Sequence, residues 1–432
     1  MKKILIVVSL LTFFHSLNAA EIDFKAETKI NYRHSEFNRF GVNFPFAENQ
    51  LPPGQKQAFL ETTDAGSHAE ISDIALFWDW TLSDDWAIKT KIDLFDLYER
   101  NPTTSDYKTS LDQFIVRYGT RYTQGELLRD LSYYLQAGKF SKFERQEDRH
   151  LESYGLSGTA FNRVEDSGIE TGLDFTSGIY TKLSYTTGNP LFFRDVNALA
   201  GDNGIDETPP PNNNPKIKTG IPILYDAEVE TFDLSKNPET GVGLGYRRLN
   251  ETGSNRFNML LFGYERELAD TVELHGTFYG GDLDLLDLSE AIPNTRLPTT
   301  GTKKKEVGAN IWWYTENFSL FAQAVTQDIG GLKRNGQEIE LSYAVQMSDN
   351  FIGITQISPV VRASVLHNDF VGPAIFTAPS FWWNWKKYDL GFNMDFGKEM
   401  RLTVEYAINK FERKKVIEEN NEYLATLRWR YD

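Results

Sequence analysis

Cysteine is absent from all 432 residues, which excludes a disulfide-stapled scaffold and a thiol-dependent enzyme. Long apolar runs are equally scarce: beyond the N-terminus no stretch approaches the ~20 apolar residues that a membrane-spanning helix requires. Histidine is thin, six in the chain, and neither a G-x-S-x-G sequence nor a triad spacing accompanies it. No His/Asp/Glu cluster has metal-ligand spacing, and Asp202, Asp206 and Glu207 form only an unspecific set of loop carboxylates. No catalytic activity, metal or cofactor is expected. Base is outnumbered by acid, 45 Lys and Arg against 61 Asp and Glu, and the net charge of −16 argues against nucleic acid as a partner. No linker divides the chain into domains.

What is present begins with an address. MKKILIVVSLLTFFHSLNAA carries Lys2 and Lys3, an apolar run from Ile4 to Phe14, and small residues at Ala19 and Ala20. Residues 1–20 therefore read as a secretory signal peptide and 21–432 as the folded part.

The folded part alternates. EIDFKAETKINYR puts Ile22, Phe24, Ala26, Thr28, Ile30 and Tyr32 on one face and charged residues on the other. IALFWDWTLSDDWAIKTKIDLF reads as two such strands around Ser83-Asp84-Asp85, and the chain ends on NEYLATLRWRYD, where Tyr423, Ala425, Leu427, Trp429 and Tyr431 fall on every second residue. Strict alternation marks a strand with one dry and one wet face. About eighteen such runs can be traced, including 223–229 and 272–278, with 361–365 weaker; sixteen is the alternative count, since 121–135 and 348–366 are poorly patterned. Connections such as SDD, TSG, LAD, TEN and GKEM are short, whereas 35–68, 141–163, 188–220, 281–304 and 367–386 are long and loop-like.

A soluble sandwich has no reason to place short turns at one end and long loops at the other. An outer-membrane barrel does, because its periplasmic turns are short and its outside loops long. Lipid cannot pair free backbone N–H and C=O groups, so a spanning sheet must close on itself, and the strong first and last strands suit a closing seam. Aromatics at 14% supply an interface girdle, with Trp80, Trp86, Phe175, Phe318, Phe396 and Tyr431 near the short-turn ends of their strands. The expected fold is all-β: a transmembrane antiparallel up-and-down barrel in the cell outer membrane.

In this pattern the chain resembles the Gram-negative outer-membrane porins over its whole folded length. YYLQAGKFSKFERQ followed by EDSGIETGLDF resembles the strand–loop–strand around the third loop of phosphate-selective and related porins. The count of eighteen resembles instead the substrate-specific channels of the carboxylate-uptake type and the alginate-export barrel. The terminal strand resembles the barrel-assembly signal, although Tyr431 is penultimate and Asp432 last. The resemblance implies passive diffusion of small hydrophilic, charged solutes through a water-filled lumen, with no enzymatic activity. It implies outer-membrane lipid, lipopolysaccharide and the barrel-assembly machinery as partners, and a monomer or homotrimer. A non-conducting adhesin or structural barrel, whose long loops bind a partner, is the alternative.

Inward positions set the selectivity of such a lumen. Lys25, Lys29, Arg33, Lys89, Lys91, Arg117, Arg121, Arg401, Arg428 and Arg430 form a candidate basic ladder near the seam. Glu170, Asp174, Asp226, Glu228, Glu230, Glu338 and Glu340 form a candidate acidic wall opposite it. These charges either guide an anion through successive weak sites or are merely solvated and paired across strands. In the third outside loop Glu144, Arg145, Glu147, Asp148 and Arg149 are candidates for a constriction if the loop folds inward, and otherwise an exposed charged loop. Other acid falls in segments such as 412–422, read as loop.

Overall fold

The computed structural model describes residues 21–36, 39–42, 58–61, 66–96, 109–119, 131–146, 148–161, 165–189, 223–226, 233–250, 255–268, 272–278, 281–283, 301–351, 353–369, 384–413 and 416–431. No helix among them is long and apolar enough to cross a membrane. Sixteen strands form one closed sheet. They are β1 (Glu21–Ser35), β2 (Gly66–Thr81), β3 (Trp86–Asp96), β4 (Ser110–Gly119), β5 (Leu131–Phe140) and β6 (Asp166–Phe175). The sheet continues through β7 (Ile179–Thr186), β8 (Glu239–Leu249), β9 (Arg256–Glu267), β10 (Lys303–Tyr314) and β11 (Phe318–Ile329). It finishes with β12 (Leu332–Tyr343), β13 (Ile354–Asp369), β14 (Asn384–Phe396), β15 (Met400–Arg413) and β16 (Val416–Tyr431). Each strand pairs antiparallel with its neighbour in sequence, and β1 pairs with both β2 and β16. The seam register sets Glu27 against Arg430, Thr28 against Trp429 and Lys29 against Arg428.

The alternative count of sixteen is the one observed, and the two surplus runs can be named. Ile223–Asp226 and Val272–Phe278 pair with each other, not with the barrel, in a three-stranded sheet completed by Gly281–Leu283. LAD is accordingly no turn: β9 ends at Glu267 and the connection to β10 is long. Val345–Phe351 is a further strand alongside the start of β13. Segment 412–422 is not a loop either, since β15 reaches Arg413 and β16 starts at Val416. Residues 1–20 lie outside the described residues.

The burial pattern is that of a protein turned inside out. Outward side chains are apolar and uncovered, as at Leu183 (55%), Val307 (65%) and Leu390 (53%), whereas inward ones are polar and enclosed. Only a solvent of hydrocarbon makes that arrangement favourable, since water would penalise the bare apolar band. Aromatic pairs ring the short-turn end: Trp86 with Tyr118 at 4.9 Å, Trp313 with Phe318 at 5.6 Å and Phe24 with Trp78 at 5.3 Å between ring centroids. Register slips run across three neighbouring strands, where Ser72, Leu94 and Asp112 are left unopposed. The slip at Ser72 re-aims Asp73 inward, Asp112 is itself an unopposed residue, and Asp73, Asp93 and Asp112 all lie within reach of Lys29 or Lys91.

Candidate functional site

The loop between β5 and β6 does not remain outside. It folds into the barrel, carries one short helix, α1 (Leu156–Phe161), and reaches the far wall. Its apolar residues explain why. Leu151, Leu156 and Phe161 are almost wholly buried against β11 to β14, beside the inward Val325, Leu366 and Trp385. Small residues make room: a Cβ on Gly336 would sit 2.4 Å from the Phe161 ring, and one on Gly391 would sit 2.7 Å from Leu151.

Backbone groups of the loop are satisfied by charged side chains of the opposite strands. The Ser157 N–H at the start of α1 donates to Glu338 (3.1 Å), and Arg334 donates to the Ala160 carbonyl at its end (2.8 Å). This matches acid to the helix N-terminus and base to its C-terminus. Arg362 donates to the Ser153 carbonyl (2.8 Å), Lys387 to the Tyr154 carbonyl (2.9 Å), and Ser153 Oγ donates to Glu405 (2.6 Å). Arg362 is itself held by Asp389 at 2.8 Å. At the seam Glu152 meets Lys29 (3.3 Å). Burial disfavours ionisation of Glu152, but Lys29, Arg428 and Arg149 outweigh it and hold its carboxyl below the usual range. Closer to β5, Tyr264 donates to Glu144 (2.5 Å), and Asn310 and Gln323 donate to the Glu144 carbonyl. Burial pushes the Glu144 carboxyl up to about 8, against the pull of Lys142.

The docked loop packs against β11–β14 and leaves a space on its other side. Between the loop and the wall β3–β10 lies a cavity of about 660 Å³. Nine lining side chains are basic (Lys89, Lys91, Arg117, Lys142, Arg145, Arg149, Lys182, Arg247, Arg256) and three acidic (Asp148, Glu170, Asp174). Five of the nine are matched: Lys91 with Asp112 (2.7 Å), Lys142 with Glu239 (2.9 Å), Arg145 with Glu165, Arg247 with Asp174 (2.6 Å) and Arg256 with Asp148 (4.0 Å). Lys89, Arg117, Arg149 and Lys182 make no ion pair among the described residues. Aromatic rings sit under many of these cations. Arg117 lies 4.3 Å from the centroid of Tyr134, Arg247 4.3 Å from Tyr180, Arg149 3.4 Å from Tyr154 and Lys182 5.5 Å from Phe143.

The sequence candidates divide accordingly. Lys89, Lys91 and Arg117 line the cavity, together with Glu170 and Asp174, so these acids do not form a wall opposed to those bases. Glu170 accepts from the Tyr134 hydroxyl at 2.5 Å. Lys25, Lys29, Arg33, Arg401, Arg428 and Arg430 stand apart from the cavity near the seam. There they pair with Asp23 (3.1 Å), Asp73 (3.2 Å), Glu70 (2.9 Å), Asp395 (2.5 Å) and, for Arg428 and Arg430, Glu27 (4.0 and 2.5 Å). Glu338 and Glu340 serve the loop. Glu340 accepts from Gln146 (3.1 Å) and lies 3.4 Å from Arg362. Asp226 belongs to the small separate sheet. Arg121, Glu147, Glu228 and Glu230 lie outside the described residues. Of the loop candidates, Glu144 is buried, Arg145 and Arg149 face the cavity, and Asp148 is exposed at its edge.

Sequence reasoning missed Lys142, Lys182, Arg247 and Arg256 in the cavity, and Arg334, Arg362, Lys387, Asp389 and Glu405 in the far wall. For Lys182 the signal was available, since it falls between the outward Thr181 and Leu183. A further grouping escaped because its members are far apart in sequence: Ser319 Oγ lies 3.1 Å from His150 Nε2, and His150 Nδ1 3.1 Å from Glu340. The chain has the order of a nucleophile–base–acid relay, but Ser319 sits within a paired strand, between Tyr314 and Ser342. It is not on the sharp elbow that exposes a nucleophile and offers the next N–H to an oxyanion. The His150 N–H also donates to Glu340 (3.1 Å) and Asn393 donates to the His150 carbonyl (2.8 Å), which makes this residue an anchor of the loop.

No protein-family model matches the sequence, and no curated protein does. Solved structures do. The outer membrane channel DcaP of Acinetobacter baumannii superposes with a TM-score of 0.52 at 9% identity, covering 96% of this chain and 99% of that one. OprB of Pseudomonas putida gives 0.53 at 11% identity, covering 98% and 97%. At such identities the likeness concerns the backbone alone, but it spans both chains almost completely. A closed sixteen-strand sheet with an apolar outer band, polar interior and inward loop is the fold of the outer-membrane porins.

Proposed function

We propose that the protein is an outer-membrane porin that passes small hydrophilic anions by diffusion through the space beside its inward loop. The observation that carries this reading is the cavity beside the inward loop, where four cations lack an ion-pair partner among the described residues. A series of cations that are exposed (Lys89) or half-buried (Arg117, Arg149 and Lys182) along one passage offers an anion successive weak sites, which lets it enter and still leave. The seam ladder envisaged from the sequence contributes less, because its arginines and lysines are each matched by a carboxylate. On this reading the protein has no catalytic role. The apolar band meets outer-membrane lipid with lipopolysaccharide above it, the barrel-assembly machinery inserts it, and the assembly is a monomer or a homotrimer.

The test is reconstitution in planar bilayers under a potassium chloride gradient. Stepwise conductance with a reversal potential displaced toward that of chloride is expected. A folded protein that stays electrically silent would favour an adhesin or structural barrel, and a potassium preference would remove the anion reading while leaving a porin.

A further inference from the structure

We propose that the cavity is a binding station for planar aromatic anions, a ring bearing a carboxylate, rather than for small anions in general. This rests on the porin reading and names its solute class. Attraction of a small anion such as chloride needs only exposed positive charge. Here the charge is combined with rings: Arg117 lies over Tyr134, Arg247 over Tyr180 and Lys182 over Phe143. Arg117 makes no ion pair among the described residues, so its edge N–H donors can take a carboxylate and its second face can stack on another π system, whereas Arg247 already donates to Asp174. Tyr134 and Tyr180 are themselves almost wholly buried beneath their arginines, so an aromatic acid uses the cationic donors for its carboxylate and a guanidinium's outer face or the half-buried Phe143 for its ring.

Two alternatives each use only half of the lining. Neutral sugars stack on aromatic faces but gain nothing from cations that lack an ion-pair partner. Aliphatic carboxylates take the charge but leave the rings idle. A cavity of about 660 Å³ lies within the range of small-molecule sites and exceeds what a bare inorganic anion requires. The rings also come from separate places, Phe143 on the inward loop, Tyr134 on β5 and Tyr180 on β7, and all face one space. Docking of the loop therefore completes the site.

Benzoate and cyclohexanecarboxylate carry the same charge and differ little in size, so their comparison isolates the ring. In bilayers containing the full-length barrel, the concentration of each that halves the chloride current is measured. Benzoate should block at a concentration about five to ten times lower, the factor that a cation–π or stacking contact of ordinary strength supplies. Phe143→Leu and Tyr180→Leu should bring the ratio of the two constants toward one, with the heat-dependent shift of the folded barrel on electrophoresis as the check of folding. A ratio near one in the unaltered protein, or a ratio that the leucines leave intact, would overturn the proposal. Block by a neutral hexose at benzoate's concentration would assign the site to sugars instead. The same membranes report the chloride-to-potassium preference, so failure of the anion reading is scored separately. If no current appears, calorimetric titration of the detergent-solubilised barrel reads the same ratio, and loss of the ring preference there is again decisive.

Discussion

Glu144 is a carboxyl with no exposed surface, set inside a membrane barrel on a loop that has to dock. Burial raises its affinity for a proton, Lys142 opposes this, Glu306 adds repulsion and the Tyr264 hydroxyl stabilises the anion, leaving the group at about 8. Glu165 moves the same way for the same main reason, burial, with Arg145 opposing, and stands at about 7. In a released loop both would ionise near the ordinary glutamate value of about 4.3. Docking therefore takes up protons between these limits. The sign follows: the contribution is fully present below about 4.3 and fades as pH rises through 7 to 8. Open-channel current noise, a measure of loop motion, should grow between pH 6 and pH 9. Glu144→Gln keeps an acceptor for Tyr264 and should flatten the component centred near pH 8. Noise that is independent of pH in the unaltered protein would count against this account.

At the scale of elements, α1 and the two alternating runs that do not join the barrel show what alternation can tell. All sixteen barrel strands were legible because a strand between lipid and water must alternate. Runs 223–229 and 272–278 alternate as well, yet they build a separate sheet, since period two reports that a sheet has two faces and not which sheet it joins. Length does not separate them either, since the barrel strand β7 has only 8 residues. The loop could be named as a constriction candidate from its position, but its anchors could not. Gly336, Gly391, Arg362 and Glu405 become partners of the loop only when the barrel closes and brings β12–β15 opposite β5. The packing makes a specific prediction. Gly336→Val places branched carbon where the Phe161 ring lies and should displace α1 while leaving the ladder between β11 and β13 intact. Single-channel conductance should rise, with the barrel still heat-stable. Unchanged conductance would mean that the loop does not restrict the passage.

For the whole molecule, total charge and local field point in opposite directions. A formal charge of −16 predicts a cation-preferring pore if every charge acts equally. Distance and solvent decide that they do not: at 0.1 M salt the screening length is about 10 Å, so charges at the surface are muted and those in an enclosed passage are not. Nor is the acid of the inward loop free to act, because Glu152 is matched by Lys29 and Glu165 by Arg145. The seam is equally self-contained, with Glu27 set between Lys29, Arg428 and Arg430. Two charge swaps of equal size should then behave differently. Arg117→Glu with Lys182→Glu acts on cavity cations that lack an ion pair among the described residues and should move the reversal potential toward that of potassium. Arg428→Glu with Arg430→Glu leaves the cavity lining as it is, and should lower the temperature at which the barrel unfolds, because Glu27 loses two partners and gains two repelling neighbours across the seam. Should a Glu at position 117, beside Glu170, impair folding, Arg117→Gln with Lys182→Gln tests the same field at half the charge change. Equal shifts from the two swaps would mean that the pore responds to its total charge, and the cavity would lose its special standing.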